Sequence, residues 1–421
     1  MNTTRRTPLL ALLVVVTIVV TAIACRKRTP DENVYTRGTA GGGTATTPTT
    51  TPTTTTPAPA SLKVEILKAE ADCALGRFKD FEPKARALRD AARAWADDRS
   101  AAKRTAAREA WRIAIVSWEE AEVFRIGPAA AETERGGKGL RDQIYPFPLF
   151  NRCEVDIRIV NRGYADPSFG ISLISARGLG AFEYVAFYEG TDNGCAPGSA
   201  INLNGSWAAL DLTELTKRKA EYAAAIADVV LARAEALVRA WDPVAENFHR
   251  ELATAGAGSK TYATDQDAFN ALNFAAFYIE NEVKDEKLGR PTGLYDCAAM
   301  TCPDAVESRW ARAGNAHLKA NLLGFRRLFE GCGTDGAGPA FDDLLRAVGA
   351  GQLADRMLAA LANARATADG LTVPFEDLLG SDLARARAVH AAVKATTDLL
   401  KVDVVTVLNL ELPMGSEGDN D

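Results

Sequence analysis

The sequence has only three histidines in 421 residues, and their placement argues against several kinds of enzyme. None belongs to an H-E-x-x-H motif, because His249 is followed by Arg-Glu-Leu-Ala. The G-x-S-x-G, Walker A and Rossmann fingerprints are absent as well. The common signatures of zinc proteases, serine hydrolases and nucleotide-binding enzymes are therefore missing. We expect His249 and His390 on exposed helix faces, whereas His317 is of interest for its neighbours.

The sequence also lacks a positive charge excess and, beyond its N-terminus, any long apolar run. It carries 49 Lys and Arg against 55 Asp and Glu, a formal net charge of -6. A nucleic-acid-binding protein needs a basic face, so this balance argues against nucleic acid as a partner. After the first 24 residues no apolar stretch is long enough to cross a bilayer. Alternating strand patterns are scarce, and the best candidate, residues 155–160, fits a helix equally well.

The N-terminus has the pattern of a bacterial lipoprotein signal peptide. Arg5 and Arg6 precede an apolar run at residues 9–20, and Ala-Ile-Ala then leads to Cys25. A charged start, a short apolar core and small residues before a cysteine predict cleavage after residue 24 and lipidation of the Cys25 sulfur. An ordinary secretory signal with an incidental cysteine is the alternative. Because Arg26 is not the aspartate that typically retains lipoproteins in an inner membrane, we expect an outer-membrane protein facing the periplasm.

The segment after Cys25 is predicted to be a tether. Residues 25–60 are rich in Thr, Pro, Gly and Ala, a composition that cannot bury enough apolar area to fold. Loss of residues 1–24 removes two arginines and takes the net charge from -6 to -8. The folded domain is then expected to span residues 61–421.

Six cysteines follow Cys25, and an even number in an exported chain predicts disulfides. Six cysteines allow 15 pairings, and the sequence alone does not choose among them. Proximity favours Cys297 with Cys302 and Cys153 with Cys195, which leaves Cys73 with Cys332. A thiolate metal site is the alternative, but no two of these residues have the C-x-x-C spacing that zinc sites usually use.

Apolar residues recur at helical spacing through most of the folded domain. Asp211 and Glu214 resemble a capping box at the start of one helix, Asp242-Pro243 stops it, and Ser381 is a candidate cap for the last helix. The predicted stripes are Trp111/Ile115/Trp118/Glu122, Tyr222/Ile226/Val230/Leu237/Trp241, Leu318/Leu322/Phe325/Phe329, Leu353/Met357/Leu361 and Val389/Val393/Leu400/Val404. Such helices predict an all-α fold, and about 360 residues exceed one bundle core, so we expect two packed bundles.

Two segments hold polar residues in apolar surroundings and are candidate sites. Glu183 lies among aromatic residues, where an unpartnered carboxylate is costly to bury. Gly178 and Gly180 nearby leave space for close packing or a ligand. Glu122 shares a face with two tryptophans, and Arg125 follows one turn later. We expect Glu183, Glu122 and Arg125 in one polar cluster, although a purely structural salt-bridge network would give the same pattern.

These segments carry a resemblance to the imelysin family, also called the M75 peptidase family. Residues 118–128 resemble its early W-x3-E-x-F-R-x-GP segment, and residues 177–188 its hallmark G-x-H-x-x-E with the apolar stretch that follows. Residues 306–324 resemble a later E-x-x-x-S helix, and residues 410–421 an acidic tail. The four matches occur in order and span the whole predicted domain.

The resemblance implies two helical bundles, envelope placement and a link to iron acquisition. It also implies a metal at the hallmark, but Gly180 occupies the histidine position and supplies no ligand. Ala313-Gly314-Asn315 likewise stands where the later serine is expected. Any metal would then be held by oxygen ligands such as Glu183 and Glu122, which favours a hard cation such as iron or calcium.

Three functions remain open. The first is a lipid-anchored binding component of an iron-related or other envelope process. The second is an M75-type metallopeptidase, which needs a metal-bound water and a general base and is disfavoured by Gly180. The third is a structural lipoprotein whose groove between bundles binds an envelope protein.

The lipid anchor predicts a clear result for Cys25→Ser. This variant should remain uncleaved or become soluble, because the sulfur that carries the diacylglycerol is gone. Detergent partitioning and the mass of the processed protein measure the outcome. A Cys25→Ser protein that partitions like the wild type, with the same processed mass, would contradict lipidation at this residue.

Overall fold

The structure is a computed structural model that describes residues 58–413, and these residues form an all-helical fold without strands. The α-helices are α1 Ala60–Asp97, α2 Ala101–Ala121, α3 Leu140–Ile144, α4 Arg152–Asn161, α5 Gly178–Phe187, α6 Ala200–Leu203, α7 Leu212–Trp241, α8 Phe248–Ala253, α9 Asp265–Ala276, α10 Gly314–Glu330, α11 Phe341–Ala347, α12 Gly351–Asp369, α13 Phe375–Ser381, α14 Leu383–Asp398 and α15 Val405–Leu408. The described residues also contain two π-helical segments, Ile279–Gly289 and Leu399–Val404, and several short 3₁₀ turns.

The helices pack as two bundles, as expected. In the first, α1 lies against α2 and α7, and α5 packs on α7 and α2. In the second, α12 contacts α10, α11 and α14, and the π-helical segment Ile279–Gly289 packs on α14. The bundles meet where α10 crosses α2, and Gly324 permits this crossing. A Cβ atom at Gly324 would lie only 2.5 Å from the carbonyl oxygen of Glu120, so a larger residue would force the helices apart.

Most predicted helix limits are confirmed. The Asp211 side chain accepts a hydrogen bond from the Glu214 backbone at 2.7 Å, and α7 ends at Trp241 before Asp242-Pro243. The Glu214 side chain bonds Arg218 instead of returning to the cap, so the capping box is only half formed. The strand interpretation of residues 155–160 is wrong, because they lie in α4.

Two local predictions near the last helix and on the histidines need correction. Ser381 is the final residue of α13, and Asp382 caps α14 by accepting from the Arg385 backbone at 3.0 Å. His249 and His390 are half-buried rather than exposed. His249 Nε2 lies 2.7 Å from a carboxylate oxygen of Asp72.

The predicted signal peptide, the lipidation site Cys25 and residues 414–421 of the acidic tail lie outside the described residues. So does the predicted tether, apart from its last three residues. The first described helix, α1, starts at Ala60. None of the helices in residues 58–413 combines the length and apolarity that a membrane-spanning segment needs.

All three predicted disulfides are present. Cys153–Cys195 and Cys297–Cys302 close loops with sequence separations of 42 and 5, whereas Cys73–Cys332 has a separation of 259. Cys73 lies on α1 in the first bundle, and Cys332 follows α10 in the second. This long-range bond therefore ties the two bundles together covalently.

The long-range disulfide should contribute most to stability. Cross-linking restricts the unfolded chain more when the closed loop is longer, so the paired change Cys73→Ala/Cys332→Ala should lower the free energy of unfolding by about 3–5 kcal/mol. The matched pair Cys297→Ala/Cys302→Ala should cost clearly less. Urea denaturation of both variants measures this, and equal losses would contradict the loop-length argument.

Candidate functional site

Two glutamates at the end of α2 are buried in the protein interior. The tryptophans Trp111 and Trp118 anchor the inner face of α2, and both are fully buried. Glu119 and Glu122 follow on that face, and neither side chain is exposed to solvent. Because an isolated buried carboxylate is very costly, both residues need cationic or hydrogen-bonding partners from other segments.

Lys287 supplies the main positive charge for these carboxylates. Its Nζ lies 2.5 Å from Glu119 Oε2, 3.0 Å from Glu307 Oε1 and 3.4 Å from Glu122 Oε1. It also donates to Asn321 Oδ1 at 2.9 Å. Lys287 lies in the π-helical segment Ile279–Gly289, in which wider turns displace side chains from α-helical register; such segments often occur at functional sites. One ammonium group thus joins three distant parts of the chain.

Glu122 has two further partners. Arg141 of α3 donates from Nε to Glu122 Oε2 at 3.1 Å, and the Tyr278 hydroxyl donates to Glu122 Oε1. Burial, reinforced by the charge of Glu119, nevertheless raises the pKa of Glu122 to about 8. Burial also opposes ionisation of Glu119, but Lys287 and His317 hold its pKa well below the ordinary value. The pKa values of the two neighbouring glutamates are therefore shifted in opposite directions.

His317 of α10 lies on the other side of the same carboxylates. Its Nδ1 is 2.8 Å from Glu119 Oε1 and 3.2 Å from Glu307 Oε2, and the ring is fully buried. Burial alone lowers the pKa of His317, but Glu119 and Glu307 outweigh it and raise the pKa to about 10. Glu307 Oε1 also accepts a hydrogen bond from the Tyr145 hydroxyl at 2.7 Å. We call Glu119, Glu122, Lys287, Glu307 and His317 the buried charge cluster.

Glu183 of α5 lies beside this cluster with partners of its own. Its Oε1 accepts a hydrogen bond from the backbone N–H of Ala311 at 2.7 Å. Burial raises the pKa of Glu183 to about 8 in spite of this hydrogen bond. Gly178 starts α5 with a φ of +79°, and a Cβ there would lie 2.6 Å from the carbonyl oxygen of Ile144. That close approach fixes the position from which Glu183 projects.

A cleft of about 480 Å³ opens next to Glu183. Its inner wall includes Glu183, Glu307 and Gly180, and its aromatic lining is formed by Tyr145, Phe147, Phe150 and Trp310. The disulfide between Cys297 and Cys302 lies at the same cleft. The cleft therefore connects solvent with two carboxyl groups that are almost wholly buried.

Three arginines line the cleft, and each is already paired with an acid. Arg152 Nη2 lies 2.9 Å from Asp192, Arg290 contacts Glu286 at 3.2 Å and Asp296 at 3.3 Å, and Arg309 bonds Asp304. These arginines are also more exposed than Glu183 and Glu307. The inner part of the cleft is consequently acidic and aromatic.

Comparison with known protein families shows which family this chain belongs to. The sequence profile of the Peptidase M75 family, described as imelysin, matches residues 74–402. The chain belongs to the imelysin family. The match covers most of the described helices and all residues of the buried charge cluster.

Two solved structures share the imelysin fold with this chain. One is titled "putative iron-regulated protein A precursor" and comes from Parabacteroides distasonis ATCC 8503; it has 18% identity and a TM-score of 0.66, covering 84% of this chain and 96% of its own. The other is an imelysin-like protein from Psychrobacter arcticum 273-4, with 18% identity and a TM-score of 0.62, covering 85% of this chain and 99% of its own. No curated protein sequence matches this chain.

The structure brings together only some of the predicted site residues. Glu122 belongs to the buried charge cluster, and Glu183 with Gly180 lines the cleft beside it. The expected pairing of Arg125 with Glu122 or Glu183 is wrong. Arg125 Nη1 lies 2.7 Å from Glu282 and lines a different cavity, whereas Arg141 is the arginine that reaches Glu122. Gly178 serves close packing and Gly180 borders the cleft, which fits the two roles expected of these glycines.

Three residues of the buried charge cluster that lie close together were not identified from the sequence. Glu119, Glu307 and His317 have ligand atoms within 4.8 Å of one another, and among residues 58–413 they are the group of three whose types and spacing fit a metal ion. Glu122 and Glu183, the expected metal ligands, are not in this group. Glu307 and His317 both lie in residues 306–324, which resemble the later family helix. The resemblance therefore identified this segment, but it did not indicate that these two residues contribute to a site.

The raised pKa of Glu183 predicts how stability depends on pH. The folded protein holds a proton on Glu183 that the unfolded chain releases above its pKa of about 4.5, so this residue costs stability as the pH rises from 4.5 towards 8. The cost is about 1.4 kcal/mol for each unit by which the pKa is raised. Glu183→Gln replaces the titrating carboxyl group with a neutral amide of nearly the same shape.

Between pH 5 and pH 8 the wild type should therefore lose stability relative to Glu183→Gln. Urea denaturation at several pH values measures the difference, and exposed Glu132→Gln serves as the control that should track the wild type. A constant difference between wild type and Glu183→Gln over this range would show that Glu183 is ionised in the fold.

Proposed function

We propose that this imelysin is a lipid-anchored envelope protein that binds a small positively charged ligand in the cleft beside Glu183. The observation that carries this proposal is the inner wall of the cleft, where the carboxyl groups of Glu183 and Glu307 lie among aromatic rings. A concave, largely apolar site with a few converging polar groups is the common form of a small-molecule site. Aromatic faces and carboxylates both attract cations.

The charge around the cleft supports a cation rather than an anion. Glu286, Asp296 and Asp304 of the lining are paired with Arg290 and Arg309, and Glu307 contacts Lys287. Among the described lining residues, Glu183 is therefore the acid that a cation could still pair with. Because the arginines are held in ion pairs, they are poorly placed to bind an anion. The proton on Glu183 can leave when a cation arrives, which gives the inner wall a further negative charge.

An iron-related role is part of the proposal. It is supported by one structural relative, which is described as a putative iron-regulated protein, and by the resemblance of the N-terminus to a lipoprotein signal. Exported placement also agrees with three disulfides in the described residues. A protein in this position would bind its ligand in the periplasm and present it to an envelope partner.

Peptide hydrolysis is the less favoured alternative. Gly180 stands where the family hallmark has histidine, and its ideal Cβ position lies 3.4 Å from the Tyr145 ring, so this part of the cleft is lined without an imidazole. The third alternative is a structural lipoprotein whose groove binds an envelope protein. It does not explain why carboxyl groups lie on the inner wall of the cleft.

The binding proposal is tested with defined cations. Ferrous ion under anaerobic conditions and spermidine serve as probes, and citrate serves as an anionic control. At least one cation should raise the melting temperature of the mature chain, since a ligand at 100 times its Kd adds about 2.7 kcal/mol to stability. Citrate should have no such effect. The stabilisation should disappear in Glu183→Gln and persist in Glu132→Gln.

Three outcomes would contradict this function. If neither cation stabilises the protein, the cleft is not a cation site. If Glu183→Gln keeps full stabilisation, Glu183 is not part of it. Saturable cleavage of casein that is lost in Glu183→Ala would support the peptidase alternative instead.

A further inference from the structure

The two carboxylates at the centre of the buried charge cluster each face two directions. Glu119 directs Oε2 towards Lys287 and Oε1 towards His317. Glu307 does the same, with Oε1 towards Lys287 and Oε2 towards His317. Two carboxylates that bridge in this way define two neighbouring positions for positive charge. The ammonium group of Lys287 occupies one of them.

The second position, at His317, has distances that would allow a hydrogen bond but angles that do not form one. Nδ1 of His317 is 2.8 Å from Glu119 Oε1 and 3.2 Å from Glu307 Oε2. Yet both His317 nitrogens and Glu119 Oε1 lack a partner in hydrogen-bonding geometry, although all are buried. Ligands about 2.1 Å from one metal ion at angles of about 85–110° lie about 2.8–3.4 Å apart and aim at the ion instead of at each other.

We propose that Glu119, Glu307 and His317 form a binding site for a divalent transition-metal ion, with Lys287 as the fixed second cation of a carboxylate-bridged centre. All three side chains are almost wholly buried. Their polar atoms without a hydrogen-bond partner destabilise the fold unless a bound ion interacts with them. The metal proposed here sits on a different set of residues from the hallmark motif. The histidine is supplied by α10, whereas α5 has Gly180 in the hallmark position.

The ligand types indicate which ions fit. Two carboxylates and one imidazole suit Fe²⁺, Mn²⁺ or Zn²⁺, whereas Ca²⁺ and Mg²⁺ prefer sites made wholly of oxygen. Lys287 adds a positive charge beside the ion and limits affinity, but it also holds both carboxylates in place from the opposite side. Tyr145 fixes Glu307 further by donating to Oε1 at 2.7 Å.

Glu307 links this site to the cleft. It lines the inner wall of the cleft and also faces His317, so the buried position directly adjoins the residue that an ion in the cleft would meet. The inference rests on the proposed function to this extent, because it names the inner end of the same cleft as the place where a metal ion is held.

Manganous ion is a suitable probe, because it is paramagnetic and takes both oxygen and nitrogen ligands. We expect the untagged mature chain to bind one Mn²⁺ in calorimetric titration. His317→Ala should weaken this binding by at least about tenfold, since even the loss of an outer-sphere partner costs 10–100-fold. His249→Ala removes a half-buried histidine that contacts Asp72 and lies outside the buried charge cluster, so it should leave the affinity unchanged.

A spectroscopic measurement keeps the proposal testable if His317→Ala does not fold. The chain has only three histidines, so the double variant His249→Ala/His390→Ala retains His317 as its single imidazole. Electron spin echo modulation of bound Mn²⁺ should show a nitrogen coupling in this variant. No bound Mn²⁺, or bound Mn²⁺ without the nitrogen coupling, would establish that the cluster is a salt-bridge network only.

The two proposals fail in different ways. Metal binding that is lost in His317→Ala but kept in Glu183→Gln supports the metal site and removes Glu183 from the function. Metal binding that is lost in Glu183→Gln but unchanged in His317→Ala overturns the metal site and leaves the cleft function standing.

Discussion

The need to neutralise Glu119 in the protein interior governs how this fold is assembled. A fully buried carboxylate on α2 is tolerable only if cations reach it from elsewhere. Lys287 comes from a π-helical segment 168 residues away, and His317 comes from α10 of the second bundle. The crossing of α10 over α2 at Gly324 brings these parts together, and the Cys73–Cys332 bond secures it. The charge cluster and the packing of the two bundles are thus the same structural feature.

This arrangement also explains why the cleft lies where it does. The residues that follow the π-helical segment, from Asp296 to Trp310, pass over α5 and form one wall of the cleft. The backbone N–H of the next residue, Ala311, donates a hydrogen bond to Glu183, and the side chain of Glu307 contacts Lys287. Gly180 leaves the opposite wall without a side chain. The acidic inner wall is therefore a consequence of the same contacts that hold the bundles together. Binding of a cation there would depend on those contacts.

The sequence alone predicted the helices and the disulfides because both follow local rules. Stripes such as Leu318 to Phe329 repeat every three or four residues, and chain proximity selected two cysteine pairs, leaving the third. The partners of buried charges follow no such rule. Arg125 follows Glu122 by one turn and was therefore the expected partner, but in the fold Arg125 pairs with Glu282 and Arg141 reaches Glu122. The π-helical register that aims Lys287 inward likewise has no pattern by which it could have been recognised.

A double-mutant cycle between Glu119→Gln and Lys287→Met tests the central claim most directly. Urea unfolding of the two single variants and the double variant gives the coupling free energy between these side chains. Each single change removes the shortest ion pair of a buried charge, which keeps only its remaining partners, and should cost up to about 3–5 kcal/mol. The double variant should cost less than the sum, with a coupling of about 1–3 kcal/mol. Additive losses would contradict the account, because they would mean that Glu119 and Lys287 do not stabilise each other in the folded protein.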